Sequence, residues 1–202
     1  MAEKVAIIRD GSIIWFNGEY DWLSNFYPCS IDFKGLVYPN AEAAFQAQKV
    51  DILMSSRPEE FSIKDKEFFT TLTGREAKPL GMGKRDKKFR MTEEELKVWN
   101  PIALSTMEEV VRAKYTQNDN LKEKLLATQE LGLIEGNNWG DNFYGITLAL
   151  EHPDAKNPYT KRMLKRDENG EKLYVLSQPE NENNNHLGKI LMKIRKELKE
   201  EF

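Results

Sequence analysis

This chain is poor in the residues that build covalent or metal-held frameworks. It has one cysteine, Cys29, so no disulfide can form within it, and a lone thiol in 202 residues favours a reducing compartment. Two histidines are too few to draw a Cys/His metal site, and no metal ligand set is expected. No apolar run approaches the length of a membrane span, and the stretch Val5–Ile8 is too short for a signal peptide. A soluble, cytoplasmic protein with no membrane contact is the expectation. Positive charge is not in excess either. With 30 basic and 33 acidic residues the net charge is −3, which argues against a broad electrostatic grip on nucleic acid. A chain of this length can bury a full core without staples and suits one domain over 1–202.

What is present is patterned. Asn40 is a competent helix N-cap, and the residues after it predict a helix to about Met54. Glu42 and Lys49 are seven positions apart on it, nearly two turns, so both lie on one face roughly 10 Å apart along the axis. Gln46 lies between them. A carboxylate and an amine flanking a small group can run acid–base or covalent chemistry; read alone, an exposed face with scattered charge is the plainer account. A hairpin is expected around Arg9-Asp10-Gly11, and a second strand pair across Ser30–Tyr38. Phe61–Thr73 is ambiguous. Gly74–Gly81 reads as a short helical turn in which Pro79 fits only the first turn, and Pro101 reads as the start of a helix opening near Asn100. Asn120 reads as the cap of a helix over Leu121–Thr128, and Leu131–Glu135 as a short strand. Leu187, Ile190, Leu191, Ile194 and Leu198 form the stripe of a final amphipathic helix. Together these predict an α+β domain, mainly helical, compact, with small antiparallel β elements.

Two further segments carry chemical potential. Lys84–Arg90 holds five positive charges and one aromatic, which suits either a phosphate contact or a solvated loop. Glu135–Gly145 frames Trp139, Phe143 and Tyr144 with glycines, around Asp141. Trp139 and Tyr144 can stack on a flat ring and Asp141 can orient water or a sugar hydroxyl; a rigid turn whose aromatics complete the core explains the same residues. Trp99, beside Pro101, has the same two readings.

The order of these segments resembles the YbiA-like, or NADAR, domain family. Leu23-Ser24-Asn25-Phe26-Tyr27-Pro28 looks like the family's LSNFYP element, and Tyr38–Lys49 like its Pro-x-x-Glu…Gln-Ala-x-Lys helix. Ala77-Lys78 with Gly81, Trp99, Ala113–Asn118 with Leu125–Thr128, Trp139-Gly140-Asp141 and Asn185–Arg195 continue the match in order, from about Phe16 to Leu198. The family includes N-glycosidases. Some members act on early riboflavin-biosynthesis intermediates, and others remove ADP-ribose from guanine in nucleic acid. The resemblance therefore implies hydrolysis of a ribose C–N glycosidic bond without a cofactor. Its substrate would be ADP-ribosylated guanine in nucleic acid or, alternatively, a small ribosylated metabolite. A non-catalytic module that binds an ADP-ribose-like ligand stays open beside it.

In that chemistry positive charge develops on the sugar, where a carboxylate stabilises it or activates water, and the leaving nitrogen needs a proton. A lysine amine can attack the sugar carbon instead and form a Schiff base. Glu42 is assigned to proton transfer, Lys49 to nucleophile or electrostatic partner, and Asp141 to holding the sugar or water. Asn25 and Asn185 would bond ribose or phosphate, and Trp99, Trp139 and Tyr144 would wall the base. Phe26, Gln46 and Lys78 complete the expected substrate contacts. Two departures stand out. Met82 follows Gly81 where the family often has arginine. Residues 146–182 are longer than the family's usual link and read as an inserted hairpin, with strands at Tyr159–Arg166 and Leu173–Leu176 around an Asn-Gly turn.

Overall fold

The chain runs β1 (Ile8–Arg9), β2 (Ser12–Ile13), β3 (Ile31–Phe33), β4 (Leu36–Tyr38), α1 (Ala41–Ser56), α2 (Ile63–Phe68), α3 (Gly74–Gly81), α4 (Glu93–Thr116), α5 (Asp119–Ala127), β5 (Gly132–Leu133), β6 (Gly136–Asn137), β7 (Ile146–Leu150), β8 (Tyr174–Leu176) and α6 (His186–Glu200). This is a computed structural model, and it describes residues 8–9, 11–137, 139–150, 174–176 and 180–200. Packing separates two units. One holds Trp22–Ala127; the other joins the residues up to Asp21 with those from Thr128 onward. The fold is α+β and mainly helical, as the sequence pattern predicts.

In the Trp22–Ala127 unit everything is arranged around α1. Asn40 caps it as expected: its Oδ1 accepts from the Ala43 N–H at 2.8 Å, and its Nδ2 donates to the Leu72 carbonyl at 2.9 Å. Ala41, Ala43, Ala44 and Ala47 have no exposed surface, and small side chains let α3 and α4 pack close. The helix has no single apolar stripe because it is covered on every side from Ala41 to Gln48. Ile31, Phe33, Tyr38, Phe61, Phe69, Phe89 and Val110 fill the core around it. The β3–β4 hairpin turns through Lys34 and Gly35 at φ of 49° and 83°, the two-residue turn whose twist matches that of the strands. Capping boxes built from Ser62/Asp65, Thr73/Glu76 and Thr92/Glu95 start α2, α3 and α4.

Three boundaries differ from the pattern-based expectation. Pro79 lies in the second turn of α3, not its first. Pro101 lies inside α4, which runs unbroken from the Glu93 acid cluster, so the helix expected near Asn100 begins two turns earlier. The hydrogen bond that Pro101 forfeits would have gone to the Lys97 carbonyl. Both residues are exposed, so water can take that carbonyl, while Trp99, Met107, Val110 and Val111 keep one buried stripe across the proline. Asn120 lies inside α5. The helix opens one residue before it, where the Asn118 carbonyl accepts from Leu121 and Lys122.

In the other unit β1 pairs antiparallel with β2, and β2 pairs parallel with β5. β6 pairs parallel with β7, and β7 antiparallel with β8, Leu148 opposite Leu176. The small sheets are therefore not purely antiparallel. Ile14, Ile134 and Ile146 form one buried cluster. Leu187, Leu191, Ile194 and Leu198 bury the predicted stripe of α6. Of the expected insertion, Tyr159–Arg166 and the Asn-Gly turn lie outside the described residues, as does Val5–Ile7 of the expected first hairpin. Among the described residues no helix is long and apolar enough to cross a membrane.

Asn40 joins the α1 start to the chain at Leu72, so Asn40→Ala removes a cap and orphans a buried carbonyl. A loss of about 2 kcal/mol is expected in urea unfolding. A change below about 0.5 kcal/mol contradicts the double role.

Candidate active site

Burial of α1 forces its polar side chains to find partners inside the unit. Glu42 is 5% exposed and Gln46 4% exposed. One turn apart, they meet: Gln46 Nε2 donates to Glu42 Oε1 at 2.8 Å. Gln46 Oε1 packs against the α-carbon of Gly81, where a Cβ would come within 2.3 Å of it, so only glycine fits there. Lys49, further along the same face, donates from Nζ to the Gly81 carbonyl at 3.1 Å. Its ammonium also stands 5.5 Å from the Trp99 ring centroid, and Trp99 is tilted against Phe45 at 5.2 Å. Trp99 is thus both a core residue, 5% exposed, and a neighbour of the amine.

The electrostatics of Lys49 are opposed. Burial lowers its pKa, attraction to the Glu42 carboxylate raises it, and repulsion from Lys78 lowers it again. The result is about 8, against an ordinary 10.5. A neutral, nucleophilic amine is therefore available near physiological pH at a cost an exposed lysine could not meet. Lys78, on α3, also places Nζ 5.9 Å from the Phe26 ring. Phe26 lies against Gly74 at the start of α3.

Asn25 reaches the same face through its backbone: its carbonyl accepts from the Glu42 N–H at 2.9 Å. The loop that carries it is gripped by α4. Lys114 has no exposed surface, and its Nζ donates to the carbonyls of Trp22 at 2.7 Å and Ser24 at 2.8 Å. The Tyr115 hydroxyl donates to the Trp22 carbonyl at 3.2 Å. The structure therefore brings Asn25, Phe26, Glu42, Gln46, Lys49, Lys78 and Trp99 into one unit. Sequence reasoning misses Gly81 as the seat of Gln46 and Lys49, and Lys114 as the anchor of the Asn25 loop. The available signal for Lys114 is a lysine in the middle of an apolar helical stripe.

The remaining predicted residues belong to the other unit, and there the loop is built on side-chain turns. Asn137 is fully buried. Its Oδ1 accepts from the N–H groups of Trp139, Gly140 and Asp141 at 3.3, 3.1 and 3.0 Å, and its Nδ2 donates to the Asp141 carbonyl at 2.6 Å. Asp141 Oδ1 accepts from the N–H groups of Phe143 at 3.1 Å and Tyr144 at 3.0 Å, so one carboxylate oxygen shapes the turn. Trp139 is 61% exposed, Tyr144 is half-buried, and Phe143 packs on His186 at 4.4 Å. The Phe143, Tyr144 and Gly145 carbonyls accept from the N–H groups of His186, Leu187 and Asn185, which satisfies the α6 start.

The Asn185 carboxamide is engaged by the chain itself: Oδ1 accepts from Glu135 N, and Nδ2 donates to the Leu133 carbonyl and to Glu180 Oε1. It is fully buried at a φ of 53°, an anchor for the start of α6. The basic strip is also partly structural. Lys88 pairs with Asp65 at 2.7 Å, and Phe89 is in the core, while Lys84, Arg85, Lys87 and Arg90 are exposed. Among the described residues no group of three or more His, Cys, Asp or Glu side chains is placed to hold a metal ion.

A mainly helical α+β protein with a buried carboxylate and a low-pKa amine on one helix is the class that fold and site define. The model of the NADAR domain family matches residues 15–199, and the chain belongs to that family. A riboflavin biosynthesis protein of Vibrio vulnificus (strain YJ016) is 29% identical over 126 residues, 60% of this chain but 30% of that protein. The chain thus matches less than a third of that relative's length. The N-glycosidase YbiA of Escherichia coli (strain K12) is 28% identical over 151 residues, 71% of this chain and 84% of that protein. The NMR structure of E. coli YbiA has the same fold, with a TM-score of 0.59 at 23% identity, over 99% of this chain and 92% of that one.

The balance at Lys49 is directly measurable. Carbon NMR on labelled lysine should show one amine titrating near 8, and Lys78→Met should move it upward, since a repelling like charge is gone. An unchanged titration in the variant contradicts the role given to Lys78.

Proposed function

We propose that this chain is an N-glycosidase that hydrolyses the bond between a ribose-type anomeric carbon and a nitrogen, and that its substrate is ADP-ribosylated guanine in nucleic acid. The observation that carries the reading is the buried Glu42–Gln46–Lys49 face, where a carboxylate oriented by an amide neighbours an amine lowered to about 8. Simple binding of a ligand does not call for a deprotonatable lysine beside a fixed carboxylate.

The residues divide the work as follows. The neutral Lys49 amine forms a bond to the anomeric carbon as the carbon–nitrogen bond to the base breaks. Glu42, having taken the proton that the Lys49 ammonium gives up, passes it to the departing nitrogen. The amine proton passes to the ring oxygen as the bond from that oxygen to the anomeric carbon breaks, which opens the ring and leaves the sugar as a protonated Schiff base on Lys49. The Glu42 carboxylate then takes a proton from water as the water adds to the imine carbon. Collapse returns the free amine and releases the sugar, so one water is consumed for each bond cut. Gln46 holds Glu42 in its rotamer throughout.

The exposed cations Lys84, Lys87 and Arg90 favour a substrate with a nucleic-acid backbone. One specific observation favours a second substrate: a relative bears the name of a riboflavin biosynthesis protein, which suits an early ribosylamino-pyrimidine phosphate of that route. The same two residues would act on either.

Incubation with ADP-ribosylated guanine DNA and, separately, with the riboflavin intermediates, read by mass spectrometry, distinguishes the two. Free ADP-ribose and restored guanine are expected from the first. Glu42→Gln should lower turnover about a hundredfold or more while substrate still binds. Full turnover in that variant contradicts the role of Glu42, and no product from either substrate contradicts the glycosidase reading.

A further inference from the structure

The end of α3 shares out its carbonyls unevenly. A helix leaves its last four carbonyls without partners inside itself. Here the chain turns back through Gly83, at a φ of 63°, and supplies backbone donors to three of them. The Met82 N–H donates to the Lys78 carbonyl at 3.1 Å and the Gly83 N–H to that of Leu80 at 2.8 Å. The Lys84 and Arg85 N–H groups donate to the Pro79 carbonyl at 2.9 and 3.1 Å. The Gly83 and Lys84 bonds make a Schellman turn, in which the residue after the cap takes the left-handed conformation that suits glycine. The fourth carbonyl, that of Gly81, is met by a side chain, the Lys49 Nζ at 3.1 Å. It lies at the negative end of the helix, where a cation is favoured. The α-carbon of the same residue is equally committed. A Cβ on it would come within 2.3 Å of Gln46 Oε1, 2.8 Å of Gln46 Cβ and 3.0 Å of Gln46 Cδ, so the Gln46 side chain lies along the bare α-carbon. The amide of Gln46 is left one orientation, since turning it over would set an oxygen against the Glu42 carboxylate.

We propose that Gly81 is a positioning residue for the reaction, one backbone unit that aims the Glu42 carboxylate through Gln46 and holds the Lys49 nitrogen through its own carbonyl. The proposal rests on the glycosidase reading of that face and adds the element that sets its register. A lysine amine ends a flexible four-carbon stem, and a fixed acceptor is what gives the nitrogen a place. A neutral amine that donates to the Gly81 carbonyl turns its lone pair away from that oxygen. The protonated Schiff base keeps one N–H, so the same carbonyl can hold the nitrogen before and after the sugar is bound. Because both groups refer to one residue, a shift of Gly81 disturbs carboxylate and amine together. Tight packing explains the missing side chain, but not the carbonyl that the turn leaves to Lys49.

Gly81-Met82 is the only Gly-Met pair in the chain, so glycine labelled at its carbonyl carbon, with nitrogen-labelled methionine, gives one coupled NMR signal in the intact protein. The Gly81 carbonyl shift should titrate with a midpoint near 8, where Lys49 loses its proton, and Lys49→Met should flatten the curve. A carbonyl that stays flat through that range in the wild type overturns the proposal. Turnover reads the second contact. Gly81→Ala and Gln46→Ala should each lower kcat about tenfold with KM little changed. The double variant should lose no more than Gly81→Ala alone, because the glycine acts on Glu42 through Gln46. The acid limb of the kcat profile should move to higher pH in both single variants, since the carboxylate loses a donor. Additive losses, or losses in KM alone, overturn the proposal and leave Gly81 a packing residue. Should Gly81→Ala fail to fold, the carbonyl titration and the Gln46→Ala profile decide. The titration needs no substrate, which separates the two claims. A responding carbonyl without turnover sinks the glycosidase reading and leaves the contact standing. Turnover with a flat carbonyl does the reverse.

Discussion

The burial of α1 on every side is the constraint from which the rest of the Trp22–Ala127 unit follows. A helix covered all round has no solvent to satisfy its polar groups, so each must be matched from within or by a ligand. Asn40 is matched twice, by Ala43 and Leu72. Gln46 is matched by Glu42, and Lys49 by the Gly81 carbonyl and the face of Trp99. The alanines that let α3 and α4 approach are what bring Gly81 and Trp99 within reach of that face. Core packing and site construction are here the same act.

The chemistry follows from the same confinement. Burial alone would lower the Lys49 pKa further, and Glu42 alone would raise it; Lys78 enters on the side of burial. The amine is left close enough to neutrality to attack and close enough to a carboxylate to be reprotonated. Lys114 shows the contrasting solution. Fully buried, it is surrounded by carbonyls and by the rings of Tyr27 and Tyr115, and it holds a loop.

What can be read from sequence is what depends on neighbours in sequence. The Asn40 cap, the strand pair across Ser30–Tyr38, the apolar stripe of α6 and the common face of Glu42, Gln46 and Lys49 all follow from local spacing. Elsewhere a tertiary contact outweighs a local signal. Pro101 looks like a helix start, but the buried stripe of α4 runs through it and water takes the stranded carbonyl. The partners of the Asn185 carboxamide, Leu133 and Glu135, lie some fifty residues earlier and could not be read from its neighbours in sequence. Asn25's polarity was illegible for the same reason, because its partner Met107 is 82 residues away. Family resemblance marked Asn25 and Asn185 alike, yet the Asn185 carboxamide has three partners within the chain and the Asn25 Oδ1 is buried without one.

The central claim is that Lys49 bonds to the sugar carbon. Borohydride reduction during turnover, followed by digestion and mass spectrometry, tests it most directly. The account predicts a reduced sugar adduct on the peptide containing Lys49. Its yield should rise as the pH climbs through about 8, where the amine loses its proton, and Lys49→Ala should abolish it. Undiminished turnover by Lys49→Ala, or an adduct on another lysine, would contradict it.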